Sequence, residues 1–368
     1  MIIGIDASRA NREERTGVEW YSYNLIKELY QTATADQFFL YLDKPLTGDL
    51  KPLPINFKEK VLNWPVNRFW TLGRLTLEMI AAKPDVLFVP AHTFPLIGAK
   101  RNIITWHDVG YERYPETYTK WELASLKQGA RRALKMADKI ITISHYTKAE
   151  MVKIYGVDPD KITVIYPGCN FSRWQQRPEN EVKNFLTEHN LTLPYFIYLG
   201  RLTLRKNIIG LIKIYNRFRE KCKTPHNLLL VGASSGPQEE IDKEIYNSPY
   251  REEIKKIGWL SSEQLALLLC GAQGLVSASF YEGFGLPVIE AMASGVPVIV
   301  SNSGSLPEIV GEAGLLISAH EVDEFACQML AVLENRELRA SLIAKGLVRA
   351  KEFSWQRCVK ETSAVLKG

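Results

Sequence analysis

Residues 277–317 read SASFYEGFGLPVIEAMASGVPVIVSNSGSLPEIVGEAGLLI, and the order of their apolar, glycine-rich and helix-like pieces decides the fold. Val276–Ser277 closes a short aliphatic run that reads as a strand. Glu282-Gly283-Phe284-Gly285 then holds too much glycine for a helix interior. Leu286-Pro287 opens a helix, with proline where its missing N–H costs nothing. Gly283 and Gly285 let the backbone approach a ligand closely, and the free N–H groups at the helix start form a cradle for an anion or hydroxyl. Glu282 lies on the loop and Glu290 about one turn inside the helix, a spacing that allows both to project toward one ligand. A carboxylate accepts hydrogen bonds only, which suits the paired hydroxyls of a ribose or hexose. Glycine turns with flanking glutamates open many helices, so on spacing alone Glu290 reads equally as a solvated helix residue.

Working outward, short aliphatic runs alternate with amphipathic stretches along the whole chain. The expected strands are Ile2–Ile5, Phe38–Leu42, Val86–Val89, Asn102–Thr105, Lys139–Ile143 and Ile162–Ile165. A second series follows: Tyr195–Leu199, Asn227–Val231, Ile254–Ile257, Gly274–Ser277, Val298–Val300 and Gly314–Ile317. Helix-like segments separate them at 18–30, 120–136, 207–221, 262–270 and 321–334. Buried strands separated by helices imply parallel sheets covered on both faces. Two series predict two doubly wound α/β domains, 1–175 and 176–352, with the break in the polar stretch 168–193. The segment 353–368, with Ser354 as N-cap and Trp355 behind it, is expected to be a helix that packs back on the first domain. Ligands of open parallel sheets bind at the carboxyl ends of strands. The expected site is therefore an inter-domain cleft faced by two such rims.

The 368 residues fit two domains of ordinary size, and 46% hydrophobic with 24% charged residues argues against wholesale disorder. A net charge of +5 is far short of a dedicated nucleic-acid binder, yet it suits anionic small molecules or contact with an acidic membrane. The longest apolar runs, such as 286–300, contain a glutamate and prolines and offer no membrane span. The opening MIIGIDAS reads as a strand, not a signal peptide. Five scattered cysteines without a C-x-x-C pair fit a reduced cytoplasmic compartment.

The run E-G-F-G-L-P-V-I-E at 282–290, followed by A-M-A-S-G-V-P-V-I, closely resembles the paired-glutamate motif of retaining GT-B glycosyltransferases of family 4. The similarity extends through Leu306-Pro307-Glu308-Ile309-Val310 and back to Gly200-Arg201 and Lys206-Asn207. It covers the carboxy-terminal half and, more loosely, the amino-terminal half. The resemblance implies that Glu290 holds the nucleotide ribose. It places Glu282 by the transferred sugar together with the amides of Phe284, Gly285 and Leu286. Arg201 and Lys206 would embrace the diphosphate, where fixed cations stabilise the charge that grows as the glycosidic bond breaks. Arg205, adjacent to Lys206, is an alternative partner or a solvated charge.

Upstream, Arg15-Thr16-Gly17-Val18-Glu19 stands between a strand and a helix, and Gly17 is a natural place for backbone amides to meet a phosphate. The family usually has a glycine pair here, whereas this chain has Gly17 followed by Val18. The charged run Arg9–Arg15 reads as solvated rather than acceptor-facing. Thr105-Trp106-His107-Asp108 matches the family's His-Asp signature. It implies that His107 approaches the donor sugar and that Asp108 orients the ring.

Several other patterns read as structural. Asp158-Pro159-Asp160 is a turn rather than a metal motif. Gly232–Gly236 lacks the phosphate-loop lysine and lines the nucleotide region. Ser144, Thr147 and Glu150, and likewise Ser305 and Glu308, look like helix caps. Trp64, Phe69 and Trp70 with Arg68 and Arg74, and Lys120, Lys127, Arg131, Arg132 and Lys135 on a following helix, suggest an aromatic-basic face for a membrane; core packing explains the aromatics equally well.

The resulting expectation is a cytoplasmic, metal-independent retaining hexosyltransferase without cofactor, peripheral at the inner face of a membrane. It would use a nucleotide-sugar donor and a carbohydrate or lipid-linked acceptor, with no nucleic-acid partner. The neighbourhood W-H-D-V-G-Y-E-R-Y-P-E-T-Y at 106–118 resembles mannosyltransferases of bacterial surface-polysaccharide assembly, so GDP-mannose is the first-choice donor and a UDP-sugar the second. The base pocket is expected around Gly258-Trp259-Leu260. A sugar-nucleotide epimerase and a non-catalytic nucleotide-sugar-binding subunit are the rival readings.

Overall fold

The computed structural model describes every residue except 14, 33–34, 66–68, 192–193, 234–237 and 259. Arg68, the loop 234–236 and Trp259, all named above, therefore lie outside the described residues. The chain divides into two units, Met1–Gly168 with Ser354–Gly368, and Cys169–Phe353.

Unit 1 is built on a parallel sheet of β1 (Ile2–Asp6), β2 (Gln37–Leu42), β3 (Phe57–Val61), β4 (Val86–Val89), β5 (Arg101–Trp106), β6 (Lys139–Thr142) and β7 (Ile162–Val164). Their spatial order is β3-β2-β1-β4-β5-β6-β7. Strand β4 is buried at every position, as expected of a central strand covered by helices on both faces. β3, Phe-Lys-Glu-Lys-Val, was not expected, because a half-exposed edge strand carries charges where a central one carries aliphatics.

Unit 2 repeats the plan with β8 (Tyr195–Leu199), β9 (Asn227–Val231), β10 (Ile254–Ile257), β11 (Gly274–Ser277), β12 (Val298–Ser301) and β13 (Leu315–Ile317), all parallel. The order is β10-β9-β8-β11-β12-β13. One side of its core fills with Phe196, Tyr198, Leu211, Tyr215, Phe218, Leu230 and Phe325. In both sheets the chain reverses its winding beside the first strand, between β1 and β4 and between β8 and β11. Such switch points open a crevice at the carboxyl ends of the strands. The loops that lead to Gly17, to Arg201 and Lys206, and to Glu282 leave the switch-point strands β1, β8 and β11, while His107 follows β5, the next strand but one from β1.

The division falls at Gly168/Cys169 rather than 175/176. A Cβ on Gly168 would lie 2.1 Å from the Trp355 backbone nitrogen, so Gly168 is packed into unit 1. Cys169 and Trp174 are buried in unit 2, and the Cys169 N–H donates to the Phe353 carbonyl at 2.9 Å. The polar look of 169–175 hides these two anchors. The final helix, Trp355–Lys367, is capped by Ser354 and packs on helix Gly17–Leu29. Arg101 ties its far end by donating to the Val365 carbonyl at 2.9 Å.

Candidate active site

The loop after β11 is held in shape by its neighbours. Gly285 has φ of 104°, a conformation that L side chains rarely adopt, and a Cβ there would approach Leu306 Cδ2 to 2.8 Å. It caps helix Leu286–Ala293, with Pro287 in the first turn. Ser305 is fully buried, and its hydroxyl hydrogen-bonds the carbonyls of Glu282, at 3.1 Å, and Phe284, at 3.0 Å. The expected helix cap at Ser305 is thus corrected: its helix has no side-chain cap, and the hydroxyl clamps the glycine-rich loop. Gly283, Phe284 and Gly285 are buried and Leu286 half-buried. The Phe284 ring meets Phe353 edge-on at 5.8 Å.

Glu282 accepts from Ser279 Oγ at 3.0 Å and forms an ion pair with Lys206. Both side chains are largely buried, at 17% and 12% exposure, so the pair is weakly screened. The loop after β8 thereby joins the loop after β11. Asn207 strengthens the joint from a left-handed conformation, φ 53°, by donating to the carbonyls of Ala278, at 3.0 Å, and Ala319, at 3.2 Å. The Phe280 N–H donates to the Arg205 carbonyl at 3.0 Å. Arg201 leaves β8 with its carbonyl held by Tyr198 OH at 3.1 Å, while its side chain is exposed and, among the described residues, without an ion-pair partner. An exposed guanidinium is a ready partner for an anion.

Glu290 sits one turn into helix Leu286–Ala293, half-buried rather than on the solvated face. Desolvation pushes its carboxyl up to about 7, and Arg173 draws it partly back. A carboxylate stripped of water in this way gains most from ligand hydroxyls. Arg173 carried no motif signal in the sequence.

Unit 1 presents a second set of residues at the carboxyl ends of its strands. His107 follows β5 and is buried, with Nε2 at 3.0 Å from the Pro90 carbonyl. A carbonyl only accepts, so Nε2 carries the proton and Nδ1 the lone pair. Tyr21 packs edge-on against the imidazole at 4.9 Å, and Trp355 of the returning helix packs on Tyr21 at 5.9 Å. Desolvation lowers the imidazole to about 4, so the ring is neutral at pH 7. The residue that fixes the imidazole is Pro90, which sequence reasoning missed. Asp108 Oδ1 accepts the Gly110 N–H at 2.8 Å, which commits that oxygen to the local turn.

Gly17 begins helix Gly17–Leu29 after Thr16, whose capping box uses Glu19. It is exposed, and a Cβ there would meet no atom within 4 Å. Packing within the protein therefore does not demand glycine at this position. The nearby arginines are tethered rather than simply solvated: Arg9 pairs with Glu19, Arg12 with Asp43, and Arg15 lies over Tyr23 at 4.1 Å.

Asp158 accepts the Asp160 N–H at 2.9 Å in a turn. Among the described residues no group of three or more His, Cys, Asp or Glu side chains is placed to hold a metal ion. Ser144 caps its helix, but Glu150 pairs with Arg113 instead of assisting the cap. The aromatic face expected for a membrane does not form as drawn. Trp70 is buried with Nε1 donating to Leu62, a Cβ on Gly73 would lie 2.5 Å from Trp64 Cζ2, and of the three aromatics only Phe69 is exposed.

The two halves also match known families. The model described as Glycosyl transferases group 1 matches residues 180–348, and that described as Glycosyltransferase Family 4 matches residues 15–173. The O-antigen chain mannosyltransferase B of Escherichia coli is 32% identical over 265 residues, covering 72% of this chain and 69% of that relative. The O-antigen chain mannosyltransferase RfbU of Salmonella typhimurium is 29% identical over 237 residues, 63% of this chain and 60% of its own length. Sucrose-phosphate synthase from Thermosynechococcus elongatus superposes with a TM-score of 0.77 at 20% identity, over 100% of this chain and 98% of its own. WaaG, a glycosyltransferase involved in lipopolysaccharide biosynthesis, does so with 0.74 at 14% identity, over the full length of both chains. The two parallel Rossmann-like units have the GT-B fold of these glycosyltransferase structures. The chain belongs to the group 1, or family 4, glycosyltransferases.

Proposed function

We propose that the chain is a retaining hexosyltransferase that moves mannose from GDP-mannose to an acceptor hydroxyl of a carbohydrate or lipid-linked glycan. One observation carries the reading. The loops after β8 and β11 are locked together by the Lys206–Glu282 ion pair, the first loop opening with the exposed Arg201 and the second leading into the helix that carries the desolvated Glu290. The mannosyl choice is supported by the O-antigen mannosyltransferase relatives.

In this reading Glu290 accepts the ribose hydroxyls, and ionisation of its carboxylate is favoured by those bonds. Arg201 and Lys206 hold the diphosphate and stabilise it most as it leaves. Glu282 and the amides of Phe284, Gly285 and Leu286 orient the sugar. His107, neutral at pH 7, bonds a sugar hydroxyl or steadies positive charge at the anomeric carbon, and Gly17 gives a phosphate oxygen room to approach helix amides. The acceptor hydroxyl attacks from the face the diphosphate leaves, and the departing phosphate takes its proton, so configuration is kept. The cations supply the stabilisation, with no metal or cofactor, and the enzyme works in the cytoplasm at the inner membrane face.

Thermal-shift screening of GDP-, UDP- and ADP-sugars tests the donor, since a ligand of the native state raises apparent stability. GDP-mannose should raise Tm, and GDP should then be released with an acceptor present even in EDTA. A shift with UDP-sugars alone would reassign the donor. Turnover of nucleotide sugar into an isomer without acceptor would make it an epimerase, and binding without any product would leave a binding subunit.

A further inference from the structure

The switch point of unit 1 lies between β1 and β4, and no side chain at the end of either strand has a role in the site above. The register sets Ile5 beside Phe88, so Asp6 closes β1 next to the end of β4, and His92 follows that end by three residues. Asp6 is 4% exposed. Its Oδ1 accepts both donors of Ser8, the N–H at 3.1 Å and the hydroxyl at 2.6 Å. Its Oδ2 has no hydrogen-bond partner among the described residues. Burial raises the carboxyl above its ordinary 3.8, against the pull of the Ser8 bonds and of Arg9. A buried carboxyl oxygen without a donor is costly, and a fold that keeps one calls for a donor from outside.

His92 supplies the complementary group. It is half-buried, its ring lies 6.4 Å from that of Trp106, and neither imidazole nitrogen has a hydrogen-bond partner among the described residues. Burial lowers it below its ordinary 6.5, although Asp108 pulls the other way. At pH 7 the ring is therefore neutral and offers one N–H donor and one lone pair. Its backbone is anchored two residues earlier, where the Pro90 carbonyl bonds His107 at 3.0 Å. Arg9 acts on both Asp6 and His92 through its charge, which sets the two groups around one neighbour. Asp6 Oδ2 and the His92 nitrogens stay open to solvent, unlike the sealed orphans Trp106 Nε1 and Thr142 Oγ1 at the ends of β5 and β6.

The charges of this rim disfavour an anion. Arg9 is paired with Glu19 at 3.2 Å, Arg12 with Asp43 at 2.7 Å, and Arg15 lies over Tyr23 at 4.1 Å. A phosphate here would face Asp6 while all three arginines of the loop are engaged. A neutral ligand rich in hydroxyls instead meets an acceptor at Asp6 and both a donor and an acceptor at His92. We propose that Asp6 and His92 form a subsite of unit 1 that binds an uncharged sugar unit of the acceptor, Asp6 Oδ2 accepting from one hydroxyl and the His92 imidazole bonding another. The inference rests on the transferase reading above and names its acceptor class: a neutral hexose or N-acetylhexosamine unit, not a phosphorylated polyol.

Saturation-transfer difference NMR of the full chain, with no donor present, tests it with the methyl α-glycosides of mannose, glucose, galactose and N-acetylglucosamine. At least one should show saturable transfer, and inorganic phosphate should not displace it. Asp6→Asn keeps an acceptor for Ser8 and replaces the free oxygen, while His92→Ala removes both ring nitrogens; each should weaken glycoside binding by about fivefold or more. Both variants should melt cooperatively and keep the parent's affinity for GDP-mannose in isothermal titration, which a general loss of fold would not allow. The glycoside readout needs no donor, so it stands or falls apart from donor binding. No transfer to any of these glycosides, transfer that both variants leave unchanged, or displacement by inorganic phosphate would each overturn the proposal.

Discussion

Replacing Glu290 with glutamine should make unit 2 more stable and a worse binder. Burial raises the Glu290 carboxyl from its ordinary 4.5 to about 7. Below about pH 4.5 the group is protonated in both the folded and unfolded chain, and there is no penalty. Between 4.5 and 7 the folded chain binds more protons, so stability falls as pH rises. Above 7 the full cost is present, about 3 kcal/mol at 1.36 kcal/mol per pH unit. Glutamine keeps the shape without the charge and should recover up to that amount at pH 8, and almost none near pH 4.5. Hydrogen exchange of β11 and β12 reads the opening free energy of unit 2 by itself. Nucleotide affinity should move the other way. An amide offers one acceptor oxygen where the carboxylate offers a charged pair, a loss of about tenfold or more. A variant that is no more stable at pH 8, or that binds nucleotide as well as the parent, would refute the reasoning.

Arg201→Ala should leave stability within about 0.5 kcal/mol, because the side chain is exposed, yet cut turnover by about 10²-fold or more; melts and initial rates check both. Gly17→Ala meets no atom of the chain and should stabilise the first helix by up to about 1 kcal/mol while lowering donor affinity, measured by calorimetry. Ser305→Ala removes two bonds to loop carbonyls and should cost about 1–2 kcal/mol, with a rise in donor KM that unfolding does not explain. His107 is lowered from 6.5 to about 4 by burial, so the unfolded chain binds more protons between those values. Unit 1 should therefore be fully stable above about 6.5 and lose about 3 kcal/mol as pH falls to 4. His107→Gln should flatten that slope and depress turnover with little change in nucleotide affinity.

Central strands such as β4 and β8 were legible because burial on both faces writes an unbroken aliphatic run. β3 was not, since an edge strand may carry Lys-Glu-Lys at its half-exposed positions. The glycine-rich loop and its helix were readable from residue type, for glycine and proline have narrow backbone reasons to be where they are. What holds that loop was not. Ser305 reads as a cap, and only the fold brings its hydroxyl to the Glu282 and Phe284 carbonyls. The same is true of Pro90 at His107 and of Arg173 near Glu290, partners distant in sequence and ordinary in type. Trp64 and Trp70 mislead for the opposite reason: aromatics interleaved with basic residues look exposed until packing is known.

Isothermal titration of the purified chain with GDP-mannose, and in parallel with UDP- and ADP-sugars, tests most directly whether unit 2 grips a sugar nucleotide by its diphosphate and ribose. The account predicts saturable one-site binding that Arg201→Ala and Glu290→Gln each weaken by about tenfold or more. Absence of binding heat with all three donor classes, or titration curves that both variants leave unchanged, would contradict it.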